Sequence, residues 1–299
     1  MFYRTTLIAA ILLVFSASLL AHRALDESQQ PKTPGQCQRI ASMAPSITET
    51  LYSLGLGDRV VGVTRFCDYP PEVRAKPRIG GYYDPNFEAA VAVKPDVVIM
   101  LEEHEQSLPG FKKLNLGTMV VSHQTVDGII DSFRAIGRAC GKEALGRQMA
   151  EEYEARLHRI HEKTRGLSRP RVLVALDRTF GRGHLADVFV AGVDGYFDRM
   201  IELAGGQNAY QQRGVRNPVV SPEGIVWLNP DIIVDIVRKE MLEQSSREAI
   251  VADWNELTQV EAVKNRRVLI FDQDYAWIPG PRFVQLVEDL ARALHPEAM

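Results

Sequence analysis

A phrase of fourteen residues occurs twice in this chain. Residues 86–99 read Asn-Phe-Glu-Ala-Ala-Val-Ala-Val-Lys-Pro-Asp-Val-Val-Ile, and residues 221–234 read Ser-Pro-Glu-Gly-Ile-Val-Trp-Leu-Asn-Pro-Asp-Ile-Ile-Val. Each copy carries a glutamate (Glu88, Glu223), a Pro-Asp pair seven residues later (Pro95-Asp96, Pro230-Asp231) and then an apolar, β-branched run. The offset is constant: 223 − 88 = 135 and 230 − 95 = 135. Each copy reads as a short helix, a turn and a buried strand. Repeats that recur every few tens of residues build solenoids; one recurrence at this distance points to two similar lobes. Two lobes make a cleft, and small ligands favour clefts at domain interfaces.

A chain of 299 residues suits two such lobes, each with ample core. Hydrophobic and charged fractions of 45% and 24% are those of an ordinary globular protein. A net charge of −3 without any Lys/Arg cluster leaves no electrostatic footprint for nucleic acid.

The N-terminus reads as an export signal. Arg4 precedes an uncharged apolar stretch from Leu7 to Ala21, followed by polar, Pro-bearing sequence up to Gly35. At roughly 15 residues the stretch is short for a membrane span. Residues 1–24 are therefore expected to be a signal peptide, cleaved or retained as an anchor, and 25–37 a linker to a periplasmic protein. Export exposes Cys37, Cys67 and Cys140 to oxidation, and three is an odd number: one pair with one free thiol, or three buried thiols, both satisfy the count. The histidines at 104, 123, 158, 161 and 184 are dispersed. His158 and His161, three apart on a helix, could chelate a metal but read better as a solvated face.

Arg39–Ala44 reads as a strand ending at Pro45, and Ser46-Ile47-Thr48-Glu49 as a capping box opening a helix that stops near Gly55. Val60–Val63, Val97–Leu101 and Thr118–Val121 read as strands, and Val126–Cys140 as a helix. Strands alternating with helices imply parallel sheets covered on both faces. From Lys142 to Thr164, Leu145, Met149, Tyr153, Leu157 and Ile160 recur every three or four positions without a proline, giving a helix about 35 Å long. A second lobe restarts at Arg171–Leu176, includes the strand Val268–Phe271 and closes with an amphipathic helix through Phe283, Leu286, Val287, Leu290 and Leu294. The expected fold is α/β: two Rossmann-like lobes with central parallel sheets, residues 38–141 and 167–299, joined by one long helix at 142–166. A rigid helix between lobes predicts little closure on capture.

Arg39-Ile-Ala-Ser-Met-Ala-Pro-Ser-Ile-Thr-Glu, Gly55-Leu-Gly-Asp-Arg-Val-Val-Gly-Val, Cys67-Asp-Tyr-Pro-Pro, both Glu…Pro-Asp phrases and Gly280-Pro-Arg282 resemble the helical-backbone (class III) periplasmic binding proteins, which serve ABC importers of vitamin B12, iron–siderophore complexes and heme. The resemblance covers about residues 38–296. Through Asp68-Tyr69-Pro70-Pro71 and Asn86-Phe87-Glu88 it runs most strongly to the vitamin B12-binding members. It implies a non-enzymatic receptor, a monomer without cofactor of its own, that captures a corrinoid or iron chelate and delivers it to a permease and its ATPase. It also implies that Glu88 and Glu223 lie at the tips of the two lobes and pair with permease arginines. With Asn86 and Ser221 as caps, both glutamates would also sit in a first helical turn, where the helix dipole alone favours a carboxylate.

In parallel α/β folds, ligands bind outside the carboxyl ends of the strands. The candidates there are Phe66, Tyr82, Tyr83, Phe180, Asp274, Tyr275 and Trp277: aromatic planes for a flat macrocycle or catecholate, and a carboxylate for amide side chains. Of these, Phe66, Tyr82 or Tyr83, and Asp274 fall where vitamin B12 binders place a ring, a ring and an Asp, while the family's tryptophan in the Tyr82–Tyr83 loop is absent. Arg65 and Arg178 are alternatives for meeting an anionic siderophore. A competing reading comes from Gly181-Arg-Gly183-His-Leu-Ala186, which matches the G-x-G-x-x-A form of the dinucleotide fingerprint and would make the chain an exported dinucleotide enzyme. However, four residues separate it from the preceding strand, and the stretch from Asp187 onward alternates like a strand. A binder of free zinc or manganese would need convergent His or carboxylate ligands that the sequence does not assemble.

Overall fold

The computed structural model describes residues 37–299; the expected signal segment and most of the linker lie outside the described residues. No helix among the described residues is long and apolar enough to cross a membrane. The chain divides into two compact units. One comprises residues up to Leu51 with Gly55–Val121 and Ile136–Glu143; the other comprises Tyr52–Leu54, Ser122–Ala135 and Ala144–Met299.

The first unit is built on four parallel strands, β1 (Ile40–Ser42), β2 (Val60–Val63), β3 (Val97–Leu101) and β4 (Gly117–Val121), in the order β2-β1-β3-β4. β3 is buried at every position, as a parallel strand covered on both faces requires. Ala41, Met43, Val98 and Met100 pack with Ile79, Ala90 and Phe111 into its core. The helix after β1 begins at Pro45, one residue before the expected capping box. Proline fits the first helical position because its missing N–H has no partner there anyway, and the amide of Thr48 closes the turn onto the Ala44 carbonyl. Ser46 and Glu49 are thus inside the helix and buried. Cys37 and Cys140 form a disulfide, and Arg59 donates to the carbonyls of both (3.2 and 3.1 Å). Cys67 is a buried free thiol. One pair and one thiol is the arrangement adopted.

The second unit contains β5 (Arg171–Asp177), β6 (Val188–Val190), β7 (Gln207–Asn208), β8 (Val219–Val220), β9 (Ile232–Ile236) and β10 (Val268–Phe271), in the order β10-β9-β5-β6-β8, with β7 beside β5. β10, β9, β5 and β7 pair in parallel, whereas β6 runs antiparallel to both its neighbours β5 and β8, so this sheet is mixed. The helix Glu143–Thr164 packs within this unit. Its Tyr153 lies between Phe133 and Phe283, with ring centres 5.2 and 5.9 Å away, and its Arg156 pairs with Glu288 of the closing helix Phe283–Leu294 (2.8 Å).

The two copies of the repeated phrase fold alike. The Asn86 side chain caps the helix Phe87–Ala92 by accepting from the Ala89 amide (2.9 Å), and Ser221 caps Pro222–Leu228 by accepting from Gly224 (3.2 Å). Both copies then turn through a left-handed residue, Lys94 (φ 46°) and Asn229 (φ 41°), again 135 apart. The Pro-Asp pairs hold strands together. Asp96 accepts from the amides of Gln38 and Arg39 (2.8 and 3.0 Å) at the entry to β1, and Asp231 accepts from Arg171 (2.7 Å) at the entry to β5.

Candidate functional site

Each unit gathers its predicted aromatics at the carboxyl ends of its strands. In the first unit, Phe66 follows β2 and is 52% exposed, with the Arg65 guanidinium 5.2 Å from its ring centre. Arg65 also pairs with Asp84 (3.0 Å), which joins the Phe66 loop to the loop of Tyr82 and Tyr83. The two tyrosines meet edge to face (4.8 Å), and Tyr83 is 71% exposed. Behind them lies His104, from the turn after β3, 4.4 Å from Tyr82 and 6.2 Å from Tyr83 between ring centres. Its role was not legible in the sequence. His104 Nδ1 accepts from the Leu101 amide (3.2 Å), so Nε2 carries the ring proton and, being buried, has no hydrogen-bond partner. Burial pushes its pKa down to about 4. In this tautomer Nε2 is a donor edge among aromatic rings and not a metal ligand.

In the second unit, Phe180 follows β5, and Asp274, Tyr275 and Trp277 follow β10, two strands away on the same sheet edge. Asp274 is exposed and pairs with Arg282 (2.7 Å), whose guanidinium lies 5.8 Å from the Tyr275 ring centre. The Tyr275 hydroxyl donates to Asp289, and burial together with that carboxylate raises its pKa. Tyr275 therefore offers a ring rather than a hydroxyl. Arg238, which follows β9, stands 5.7 Å from the Trp277 ring centre; sequence reasoning missed it because one arginine after a strand carries no pattern. Phe180 packs under Arg178 (4.5 Å). Arg178 itself is fully buried and paired with Asp235 and Asp253 (2.7 Å each), so it is not available to an anionic ligand.

The glycine-rich segment has a structural explanation. Gly181 and Gly183 both adopt left-handed conformations (φ 66° and 71°), and their amides donate to the carboxylate of Asp253 (2.7 and 2.8 Å). The amides that a dinucleotide fingerprint aims at pyrophosphate are here wrapped around an internal carboxylate. Beyond Ala186 the chain enters β6 rather than a helix. Nor do the described residues contain any group of three or more His, Cys, Asp or Glu placed to hold a metal ion. His158 is exposed on the helix Glu143–Thr164.

A profile of the periplasmic binding protein family matches residues 40–275. The chain belongs to that family. This binding protein is 31% identical over 274 residues to the uncharacterized ABC transporter substrate-binding lipoprotein YvrC of Bacillus subtilis, covering 87% of this chain and 81% of that one. It is 26% identical over 299 residues to the vitamin B12-binding protein of Vibrio cholerae, covering 96% of each. Among solved structures it is similar to the periplasmic heme-binding protein RhuT from Roseiflexus sp. RS-1, with a TM-score of 0.74 and 27% identity over 88% of this chain and 99% of that one. The expected two-sheet α/β fold is the fold of the family, with the reversed β6 making the second sheet mixed rather than purely parallel.

Proposed function

We propose that this protein is the exported capture component of an ABC importer and that its cargo is a planar metal chelate, a corrinoid or an iron complex such as heme. The observation that carries the reading is an aromatic set in each unit, Phe66, Tyr82 and Tyr83 in one and Phe180, Tyr275 and Trp277 in the other, each at the carboxyl edge of its own sheet. Exposed or half-buried rings at a strand edge suit a flat apolar ligand, and Asp274 supplies an acceptor for its polar rim. The relatives named for vitamin B12 and heme support the same class of cargo. A disulfide agrees with folding in an oxidising compartment.

Glu88 and Glu223 are the proposed contacts with permease arginines. Both are exposed in the first turn of short helices at equivalent places in the two units. Trp227, 77% exposed and one turn after Glu223 on the same helix face, gives that surface an apolar neighbour suited to an arginine plane.

Titration of tryptophan emission with cyanocobalamin, hemin and ferric siderophores tests the cargo. Saturable quenching by one of them at micromolar concentration or below is expected, and Phe66→Ala or Trp277→Ala should weaken binding by about 1–3 kcal/mol. Saturation by NAD or by free Zn²⁺ with no response to any chelate would overturn the reading.

A further inference from the structure

Four arginines lie over rings of the candidate site, and three are neutralised within the protein: Arg65 by Asp84 (3.0 Å), Arg178 by Asp235 and Asp253 (2.7 Å each), and Arg282 by Asp274 (2.7 Å). Arg238 differs. It leaves the carboxyl end of β9, the strand between β5 and β10, and is exposed. It stands over Trp277, and among the described residues no carboxylate pairs with it. Trp277 brings a second donor, because its indole N–H is shut off from solvent and has no hydrogen-bond partner. A buried donor without an acceptor is destabilising, and native structures rarely leave one unless something else fills the place. A buried donor without a partner and an exposed cation without a carboxylate therefore meet at one aromatic side chain, at the sheet edge where Asp274 and Tyr275 also emerge.

We propose that Arg238 and Trp277 read an oxyanion on the rim of the cargo, so that the transported chelate is one carrying a carboxylate or phosphate oxygen beside its ring system. The inference rests on the reading of the cargo given above. A guanidinium matches the two oxygens of a carboxylate or phosphodiester in one plane, and its position over the indole brings it to the edge of any ring stacked there. The indole N–H supplies the third donor. The oxygen comes from one of two sources, the propionate of a porphyrin or the phosphodiester of a corrinoid's nucleotide tail.

Two matched pairs of probes separate these sources. Hemin is compared with its dimethyl ester, which has no free carboxylate, and cyanocobalamin with dicyanocobinamide, which lacks the phosphodiester. Affinities are measured by emission quenching of the wild type and of Arg238→Gln, Arg238→Lys and Trp277→Phe. For the pair that matches the cargo, wild type should favour the oxyanion-bearing member by roughly ten- to a hundred-fold, as a hydrogen bond to a charged group implies. Arg238→Gln should abolish the preference with the melting temperature unchanged. Arg238→Lys should keep part of it, and Trp277→Phe, which retains a ring without the N–H, should reduce it. Equal wild-type affinity within the pair that binds, or a preference that survives Arg238→Gln, would overturn the proposal and leave the cargo reading standing. Failure of both pairs to bind overturns the proposal outright, and if ferric siderophores fail as well the cargo reading falls with it.

Discussion

Removing Arg178 should cost the second unit several kcal/mol, and more at neutral than at acid pH. Its side chain is fully shielded, and its donors are all engaged. Nε and Nη2 donate to Asp235 (3.0 and 2.7 Å), Nη1 to Asp253 and the Thr179 carbonyl (2.7 and 2.9 Å), and Nη2 also to the Ile250 carbonyl (2.9 Å). Two buried carboxyl groups thus share one cation. Burial raises the pKa of Asp235 by more than Arg178 and Trp254 lower it. For Asp253 burial also acts upward but is outweighed by hydrogen bonds from Arg178, Gly181 and Gly183, which bring its pKa below the ordinary value. Asp253 is therefore the more readily ionised of the two. Arg178→Met roughly preserves volume and removes the cation, and breaking a buried pair in this way costs about 3–5 kcal/mol. In the variant the lowering by Arg178 is lost from both carboxyl groups, so their folded pKa values rise relative to wild type and the folded variant holds protons more tightly than the folded wild type does. The penalty is then small near pH 4 and grows as pH rises through the raised values. Urea unfolding of wild type and variant at two pH values, one near 4.5 and one near 7.5, checks both claims. The difference should be about 3–5 kcal/mol at the higher pH and clearly smaller at the lower, and adding Asp235→Asn and Asp253→Asn to Arg178→Met should recover part of the loss. A loss under about 1 kcal/mol at neutral pH, or one that does not change with pH, would refute the reasoning.

Glu88→Lys and Glu223→Lys should each reduce uptake through the importer, and together abolish it, with ligand affinity and melting temperature close to wild type; normal uptake with a lowered melting temperature would make the pair helix caps and nothing more. The Cys37–Cys140 bond closes a loop with a sequence separation of 103, for which chain entropy alone gives about 4.7 kcal/mol. Cys37→Ser with Cys140→Ser should therefore lower unfolding stability by about 2–5 kcal/mol, and an unfolding curve insensitive to reductant would contradict this.

Much of the fold was legible because its signals are local. β2 and β3 are largely buried apolar runs and β10 a half-buried apolar run at its sheet's edge, and all three form where the pattern places them. The 3.6-residue period of Tyr153, Leu157 and Ile160 likewise marks a helix that extends to Thr164. The first helix starts two residues earlier than its capping-box pattern suggests, because that pattern and a proline at the first helical position compete for the same turn, and the proline prevails. The site was less legible for a physical reason. Aromatic residues after strands are visible one at a time, but the partners that define their chemistry come from other strand ends, His104 behind Tyr82 and Arg238 over Trp277. The contacts of Arg178 and of the glycine loop with Asp253 span 70 to 75 residues, and no local pattern announces them.

The repeated phrase shows how one motif can hold two kinds of information. Its Pro-Asp half is architectural: Asp96 and Asp231 tie the entries of β1 and β5 to the strands beside them through backbone amides, so each unit needs an acceptor of that length at that point whatever the protein binds. Its glutamate half is not required by the same geometry. Asn86 and Ser221 already cap their helices, so Glu88 has the dipole to serve and Glu223 the dipole together with hydrogen bonds to its own amide and to Ser221, a local demand that aspartate or serine would also meet. An exposed side chain kept identical in both units, where the fold accepts several, is the kind of position at which a partner rather than the fold sets the residue. In the docking reading proposed above, the symmetry of the two units extends to what they contact, and Ala92 against Trp227, equivalent positions one turn later, is where the two contacts should differ.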